Sequence, residues 1–143
     1  MKIISDTDPG QDDALTILLA LTSPELHLLG VTTVSGNVDV RQATVNALKT
    51  VELAGRPDIP VHMGAERPLL RAPVNATHVH GRTGFEGADL PPPSIAPARE
   101  HAADFLLRPV MEHEPGAGPD AAIGPVANHP PSLSREPGPR HTR

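Results

Sequence analysis

The first 63 residues alternate between short apolar runs and helical periods of apolar side chains. Residues 2–5 form a short strand pattern that ends in an acidic, glycine-containing turn, and residues 27–34 form a second strand pattern rich in β-branched side chains. Between them, residues 12–22 are almost entirely apolar, which predicts a helix packed against a sheet and ended by Pro24. The continuous apolar run of the second strand is typical of a parallel strand covered on both faces.

A second helical pattern follows the turn at Ser35-Gly36-Asn37 and is closed by Gly55. Residues 59–63 then form a third, shorter strand pattern. Strands and helices that alternate with short connections predict an α/β fold: an open, doubly wound, mostly parallel sheet with flanking helices.

The pattern changes beyond residue 64. Residues 64–97 predict a long, proline-containing loop, and residues 98–113 predict a third helix with Pro109 near its end. Residues 114–143 contain seven prolines and four glycines, a composition that supports at most a poor strand near residues 121–123. We therefore expect a folded part at 1–116 and a poorly ordered, Pro/Gly-rich, degenerate tail at 117–143.

Composition and charge narrow the classes of protein. The 143 residues include no cysteine, which excludes disulfides and thiolate chemistry. The net charge of −5 is the opposite of the basic charge that nucleic-acid binding requires. No apolar run approaches the length of a membrane span, and Asp6 comes too early for a signal peptide. We expect a cytoplasmic protein that binds neither nucleic acid nor membrane.

The candidate chemistry is concentrated in the turn after the first strand, where four aspartates fall within eight residues (Asp6, Asp8, Asp12 and Asp13). Open α/β sheets bind ligands at this edge. Carboxylates about 4 Å apart repel by roughly 4 kcal/mol per pair at an effective dielectric of 20, and a divalent cation removes that cost. An all-oxygen donor set favours Ca²⁺ or Mg²⁺. The alternative is that Asp12 and Asp13 only stabilise the start of the helix.

An EF-hand is excluded, because Gly10 and Ile17 occupy positions that a calcium loop gives to oxygen ligands.

Three motifs resemble the inosine–uridine preferring nucleoside hydrolases. The segment from Asp6 to Leu15 (DTDPGQDDAL) is similar to the family's N-terminal signature, and residues 32–37 (TTVSGN) are similar to its second-strand motif. Residues 79–84 (VHGRTG) are similar to its His-Gly loop. The resemblance covers about residues 1–116, with an echo at 123–128, and implies the N-terminal part of a Rossmann-like nucleoside hydrolase fold.

By this resemblance the chain hydrolyses the N-glycosidic bond of ribonucleosides to ribose and a free base, as in nucleoside catabolism and purine salvage, with bound Ca²⁺. Asp8 would bind the metal and act as general base on the calcium-bound water. Asp13 would be a bidentate metal ligand, and Asp12 would contact both the metal and the ribose. The resemblance also implies a homo-oligomer.

The resemblance assigns three further positions. Asn37 would hydrogen-bond the ribose, His80 would lie beside the sugar, and the backbone carbonyl of Ile123 would complete the metal site. Asp6 fits best as a residue that orients the other aspartates. His78 is better explained as a solvent-facing loop residue, because a lone His-x-His pair is a weak metal signal.

Two alternatives stay open. The family's members are about twice as long, so we expect a truncated fold, and this chain could be an inactive fragment that keeps part of the calcium and ribose site. Residues 3–8 also resemble the opening of haloacid-dehalogenase-like, Mg²⁺-dependent phosphatases, which place no Asp-Asp pair at Asp12-Asp13 and need a later lysine.

Overall fold

The computed structural model describes residues 1–66, 81, 83–112, 121–122 and 128. Four strands and three helices follow one another along these residues. They are β1 (Lys2–Thr7), α1 (Gln11–Thr22), β2 (His27–Thr33), α2 (Val40–Leu53), β3 (Val61–Met63), α3 (Ala102–Glu112) and β4 (Ala121–Ala122).

The described strands form one parallel sheet in the order β3-β2-β1-β4. The register pairs Asp6 of β1 with Thr32 of β2 on one side and with Ala122 of β4 on the other. β1 is therefore an inner strand of the sheet, with β2 on one side and β4 on the other. This confirms the predicted α/β architecture with a parallel, open sheet.

Adjacent residues of β1 face opposite layers, as the period of a strand requires. Ile3 belongs to an apolar cluster with α1 and α2, where Ile17 and Val51 are fully buried. Ile4 packs on the other face with Phe105 of α3. Helices therefore cover both faces of the sheet, as in a doubly wound fold.

α1 differs from its prediction in one respect. Only one face is buried, through Asp13, Ile17 and Ala20, whereas Leu15 and Leu19 are 67% and 65% exposed. Because α1 contacts the sheet along a single stripe, its apolar outer side has no layer to pack against among the described residues. No helix in the described ranges is long and apolar enough to cross a membrane.

α2 lies where the sequence predicts it, whereas α3 begins at Ala102 and not at residue 98, because Ala98 forms an isolated parallel bridge with His62 of β3. α2 is capped by Asp39, whose side chain accepts from the N–H groups of Arg41 and Gln42 at 3.0 Å each. Gly55 follows the helix with a φ of 68°, a left-handed conformation that glycine adopts without a Cβ penalty. α3 extends through Pro109 to Glu112.

Three earlier predictions fall outside the described residues. They concern His80, the carbonyl of Ile123 and the order of the 117–143 segment, of which the structure describes only Ala121, Ala122 and Asn128.

Candidate active site at the carboxyl edge of the sheet

The acidic turn starts inside the sheet and ends on a helix. Asp6 and Thr7 are the last residues of β1 and are fully buried, and Asp8 follows with 6% exposure. Asp13 sits in the first turn of α1 and is 8% exposed. The local fold thus turns a run of aspartates inward, at the sheet edge where open α/β proteins bind ligands.

Asn37 brings two of the predicted site residues together. Its backbone N–H donates to Asp8 Oδ2 at 2.6 Å. Its side-chain Nδ2 donates to the carbonyl oxygen of Asp8 at 3.1 Å and to Asp13 Oδ2 at 3.0 Å. Asn37, four residues after the end of β2, therefore bridges the two carboxylates of the turn after β1. The sequence predicted all three as site residues.

The start of α1 gives Asp13 a second contact. The N–H of Gly10, the residue before the helix, donates to Asp13 Oδ2 at 3.0 Å. This is the helix-capping role that was the alternative to ligand binding, and it accompanies the Asn37 contact. Asp12 is exposed on the same first turn, and its carbonyl oxygen accepts from Thr16 Oγ1 at 3.2 Å.

Asp6 is held by side chains from two other segments. Its Oδ1 accepts from Thr32 Oγ1 of β2 and from Asn128 Nδ2, each at 2.7 Å. Asn128 is fully buried, donates from the same nitrogen to the carbonyl of Thr33 at 3.1 Å, and accepts from the N–H of Ala65 at 2.9 Å. These contacts fix the Asp6 carboxylate at the end of β1, and the role of Asp6 in orienting the other aspartates stays a prediction.

Gly64 leaves the space that Asn128 fills. A Cβ at Gly64 would overlap both the Asn128 side chain and the carbonyl of Thr33. The close approach of these backbones therefore requires glycine at this position.

A second buried asparagine lies beside the turn. Asn46 of α2 is 1% exposed, and its Nδ2 donates to the carbonyl of Pro9 at 2.9 Å and to the carbonyl of Thr83 at 2.8 Å. Sequence reasoning missed Asn46 and assigned Asn128 no role. An asparagine at a helical core position was the available signal for Asn46.

His62 of β3 is buried against Phe105 of α3. It is 4% exposed, stacks on Phe105 with ring centroids 3.9 Å apart, and contacts the carbonyl oxygen of Glu100 through Nδ1 at 3.0 Å. Burial lowers the pKa of His62 below its ordinary value, partly offset by the Glu100 contacts, while Arg108 lowers it further. This agrees with its interpretation as a structural histidine.

The donor chemistry of the turn fits a hard cation. Asp8 and Asp13 are buried carboxylates that both accept from Asn37, Asp8 from its backbone N–H and Asp13 from its side-chain amide, and the N–H groups of Gly10 and Asn37 that contact them are neutral. Carboxylate oxygens are the ligands that Ca²⁺ prefers. Within the part of the chain that the structure describes, no three His, Cys, Asp or Glu residues are grouped to hold a metal ion.

Comparison with known proteins identifies the fold and the family. A family model described as inosine-uridine preferring nucleoside hydrolase matches residues 3–137. The chain is 58% identical over 137 residues to an uncharacterized protein of Schizosaccharomyces pombe, covering 96% of this chain and 44% of that protein. It is 48% identical over 128 residues to uridine nucleosidase 1 of Arabidopsis thaliana, covering 89% of this chain and 38% of that protein.

Solved structures give the same result. A purine-preferring ribonucleoside hydrolase from Gardnerella vaginalis superimposes with a TM-score of 0.88 at 30% identity, covering 96% of this chain and 44% of that one. A plant nucleoside hydrolase superimposes with a TM-score of 0.84 at 41% identity, covering 95% and 43%.

The architecture is therefore the nucleoside hydrolase fold, in part. The chain belongs to the inosine-uridine preferring nucleoside hydrolase family. It spans about two-fifths of the length of the curated relatives it matches, 44% and 38% for the two named above. The family match continues beyond residue 116 and includes β4 and Asn128. Family membership sets aside the haloacid-dehalogenase alternative.

Proposed function

We propose that this chain binds a ribonucleoside and Ca²⁺ at the acidic turn and hydrolyses the N-glycosidic bond, releasing ribose and a free purine or pyrimidine base. The contact that supports this proposal is the Asn37 bridge, in which the backbone N–H binds the Asp8 carboxylate and the side-chain amide binds the Asp13 carboxylate. The names of the relatives, a uridine nucleosidase and a purine-preferring ribonucleoside hydrolase, support a nucleoside as substrate.

Asp8 is the residue proposed to move the proton. It follows a buried strand directly, and its carboxylate is fixed at Oδ2 by the Asn37 N–H at 2.6 Å. A fixed carboxylate can take a proton from an attacking water while the bond between the sugar carbon and the base nitrogen breaks. The water oxygen joins the sugar carbon, the departing base takes up a proton from solvent, and Asp8 returns its proton to solvent.

Asp8 and Asp13 are the proposed metal ligands, with Asp12 and the carbonyl of Ile123 as further ligands by family resemblance. Bound Ca²⁺ supplies positive charge that makes a water easier to deprotonate and that attracts sugar hydroxyls. Asp12 is exposed at the mouth of the turn, where a ribose can reach it. Asn37 and His80 are the proposed ribose contacts.

Carboxylates near the sugar have a second role. The reacting carbon gains positive character as the base leaves, and fixed negative charge stabilises that state. The neutral N–H contacts of Asp8 and Asp13 orient these carboxylates without cancelling their charge.

Calorimetric titration of the full chain with Ca²⁺ tests the site. We expect saturable binding that weakens at least tenfold in Asp8→Asn and Asp13→Asn. Asp58→Asn is the matched control, since Asp58 is exposed and pairs only locally with Arg56 at 2.8 Å. Equal calcium binding by the parent chain and both site variants contradicts the proposed metal site.

Ribose release from inosine and uridine tests the reaction. Turnover that falls at least 100-fold in Asp8→Asn, the scale of a lost general base, supports hydrolysis by this chain. Calcium and nucleoside binding without turnover supports the inactive-fragment alternative. The absence of both binding and turnover contradicts the proposed function.

A further inference from the structure

Three polar side chains of α2 form hydrogen bonds with the irregular segment 83–95. Asn46, Lys49 and Glu52 lie at steps of three residues, so they follow one another on adjoining parts of the helix surface. In the same order they bind backbone groups of Thr83, Leu90, and the Ser94–Ile95 pair. The segment 83–95 therefore runs along α2 in the direction of the helix.

The far end of this segment is bound by a carboxylate. Glu52 Oε1 accepts from the N–H of Ser94 at 2.9 Å, from its hydroxyl, and from the N–H of Ile95 at 3.0 Å. The Ser94 contacts lower the pKa of Glu52, the hydroxyl most. Midway, Lys49 Nζ donates to the carbonyl of Leu90 at 3.1 Å.

The near end is different, because it also reaches the acidic turn. Both hydrogens of the Asn46 amide are used, one on the carbonyl of Pro9 and one on the carbonyl of Thr83. Because both partners are carbonyl oxygens, the amide nitrogen of Asn46, and not its oxygen, must face Pro9 and Thr83. Gln42 Nε2 donates to Asn46 Oδ1 at 2.9 Å and fixes the opposite side.

Two further contacts reinforce this junction. A Cβ at Gly84 would lie 2.9 Å from Asn46 Nδ2 and 3.2 Å from the carbonyl of Pro9, so the loop and the turn touch with no space between them. Gln11 Nε2, on the first turn of α1, donates to the carbonyl of Glu86 at 2.6 Å.

We infer that Asn46 is a positioning residue that couples the segment 83–95 to the acidic turn. It thereby sets the distance between the acidic turn on one side of the proposed nucleoside site and the segment 83–95 on the other. Pro9 is one residue from Asp8. Thr83 is three residues along the chain from His80, which the family resemblance assigns to the sugar. The role in substrate binding rests on the proposed function, whereas the coupling itself rests on the Asn46 contacts.

Asn46→Asp is the first test variant, because it keeps the shape but turns a carboxylate oxygen toward two carbonyl oxygens. Asn37 and Gly10 still hold Asp8 and Asp13 in this variant. We therefore expect affinity for inosine or uridine, measured by calorimetry in saturating Ca²⁺, to fall at least tenfold while calcium affinity changes less than threefold. Equal losses of both affinities, or no loss, overturn the inference.

Gly84→Ala is the second test variant and does not remove Asn46. The added Cβ pushes the loop away from the turn, so the same split between nucleoside and calcium affinity is expected. Gly87→Ala is its matched control, since Gly87 has a similar positive φ of 87° but nothing within 4 Å of an added Cβ. An equal effect of Gly84→Ala and Gly87→Ala contradicts the inference.

Amide hydrogen exchange separates this inference from the proposed function. The N–H groups of Phe85 and Ala88 make hydrogen bonds within the loop, to Thr83 Oγ1 and to the carbonyl of Phe85. We expect their exchange to accelerate at least tenfold in Asn46→Asp and not in Gly55→Ala, because Gly55 has a positive φ and an added Cβ there meets nothing within 4 Å. If the parent binds no nucleoside, the proposed function fails, and this exchange alone decides the coupling. Unchanged exchange in Asn46→Asp refutes it.

Discussion

The outer strand β3 and the carboxyl edge of the sheet are held in place in different ways. β3 lies beneath α2, and Val61 is 1% exposed in the apolar cluster between the sheet and helices α1 and α2; we call this the apolar side. At the carboxyl edge, Asn128 joins the ends of β1, β2 and β3 by hydrogen bonds to Asp6, Thr33 and Ala65; we call this the polar side. The stability gained from apolar burial falls in proportion to the buried apolar area that is removed. A buried hydrogen bond, by contrast, is lost whole when either partner is removed.

The largest effect is expected on the polar side. Asn128→Ala removes a donor from the buried Asp6 carboxylate and an acceptor from the N–H of Ala65, so the free energy of unfolding should fall by about 3 kcal/mol. Urea unfolding followed by circular dichroism measures the change.

An isosteric variant sharpens this prediction. Asn128→Asp turns a second carboxylate toward Asp6 across a 2.7 Å contact, and should destabilise more than Asn128→Ala. If Asn128→Ala unfolds within about 0.5 kcal/mol of the parent, the polar side does not depend on this residue.

The apolar side should respond less. Val61→Ala removes buried hydrocarbon at about 0.8 kcal/mol per methylene, plus a cavity cost, and we expect a loss of about 2 kcal/mol in the same unfolding experiment. Leu53→Ala is the control, since Leu53 belongs to α2 but is 62% exposed. A Val61→Ala loss larger than that of Asn128→Ala would reverse the comparison.

The start of α2 should contribute a smaller amount to the same side. Asp39→Ala leaves the N–H groups of Arg41 and Gln42 without their carboxylate acceptor, at a cost of about 1 kcal/mol. Asp39→Asn should keep most of this stability, because its side-chain oxygen can still accept. Thermal unfolding of both variants measures the difference, and equal destabilisation by alanine and asparagine argues against capping.

How much the sequence predicted differs between the two sides. The strands and helices of residues 1–63 follow from local apolar periods, and their positions were predicted to within about two residues. β1 runs two residues further than predicted because Asp6 and Thr7 are polar yet fully buried. Their neighbours, Thr32 and Asn128, are separated from them along the chain, so no local pattern shows them.

The acidic turn was predictable for a different reason. Asp8, Asn37 and Asp13 lie in motifs where the residue types themselves indicate ligand chemistry, and the structure brings them together. Asn46 lies among apolar positions of α2, and only its contacts with Pro9 and Thr83 show what it does. Sequence pattern therefore predicted the groups proposed to meet a ligand better than the group that positions them.

The smallest effect concerns the one buried histidine of β3. Because the folded-state pKa of His62 lies below its ordinary 6.5, the unfolded chain binds the proton more readily. Its stabilising contribution is complete above pH 6.5 and is lost as the pH falls from 6.5 through the folded-state pKa.

Urea unfolding at pH 7.5 and 5.5 measures this dependence. Glu100 and Arg108 face the same ring assembly and act in opposite directions on the pKa of His62. His62→Gln should flatten the pH dependence in this window. An unaltered slope in His62→Gln shows that other groups cause it.

The contact between Asp6 and Asn128 joins residues 122 positions apart. At a synthesis rate of roughly 5–20 residues per second, the amide leaves the ribosome about 6 to 24 s after the carboxylate it serves. Nascent β1, α1 and β2 can collapse on one another within that interval. Asp6 at the carboxyl end of β1 receives the hydrogen bond from Asn128 only after residue 128 has been synthesised. Completion of this hydrogen bond is thus timed by translation.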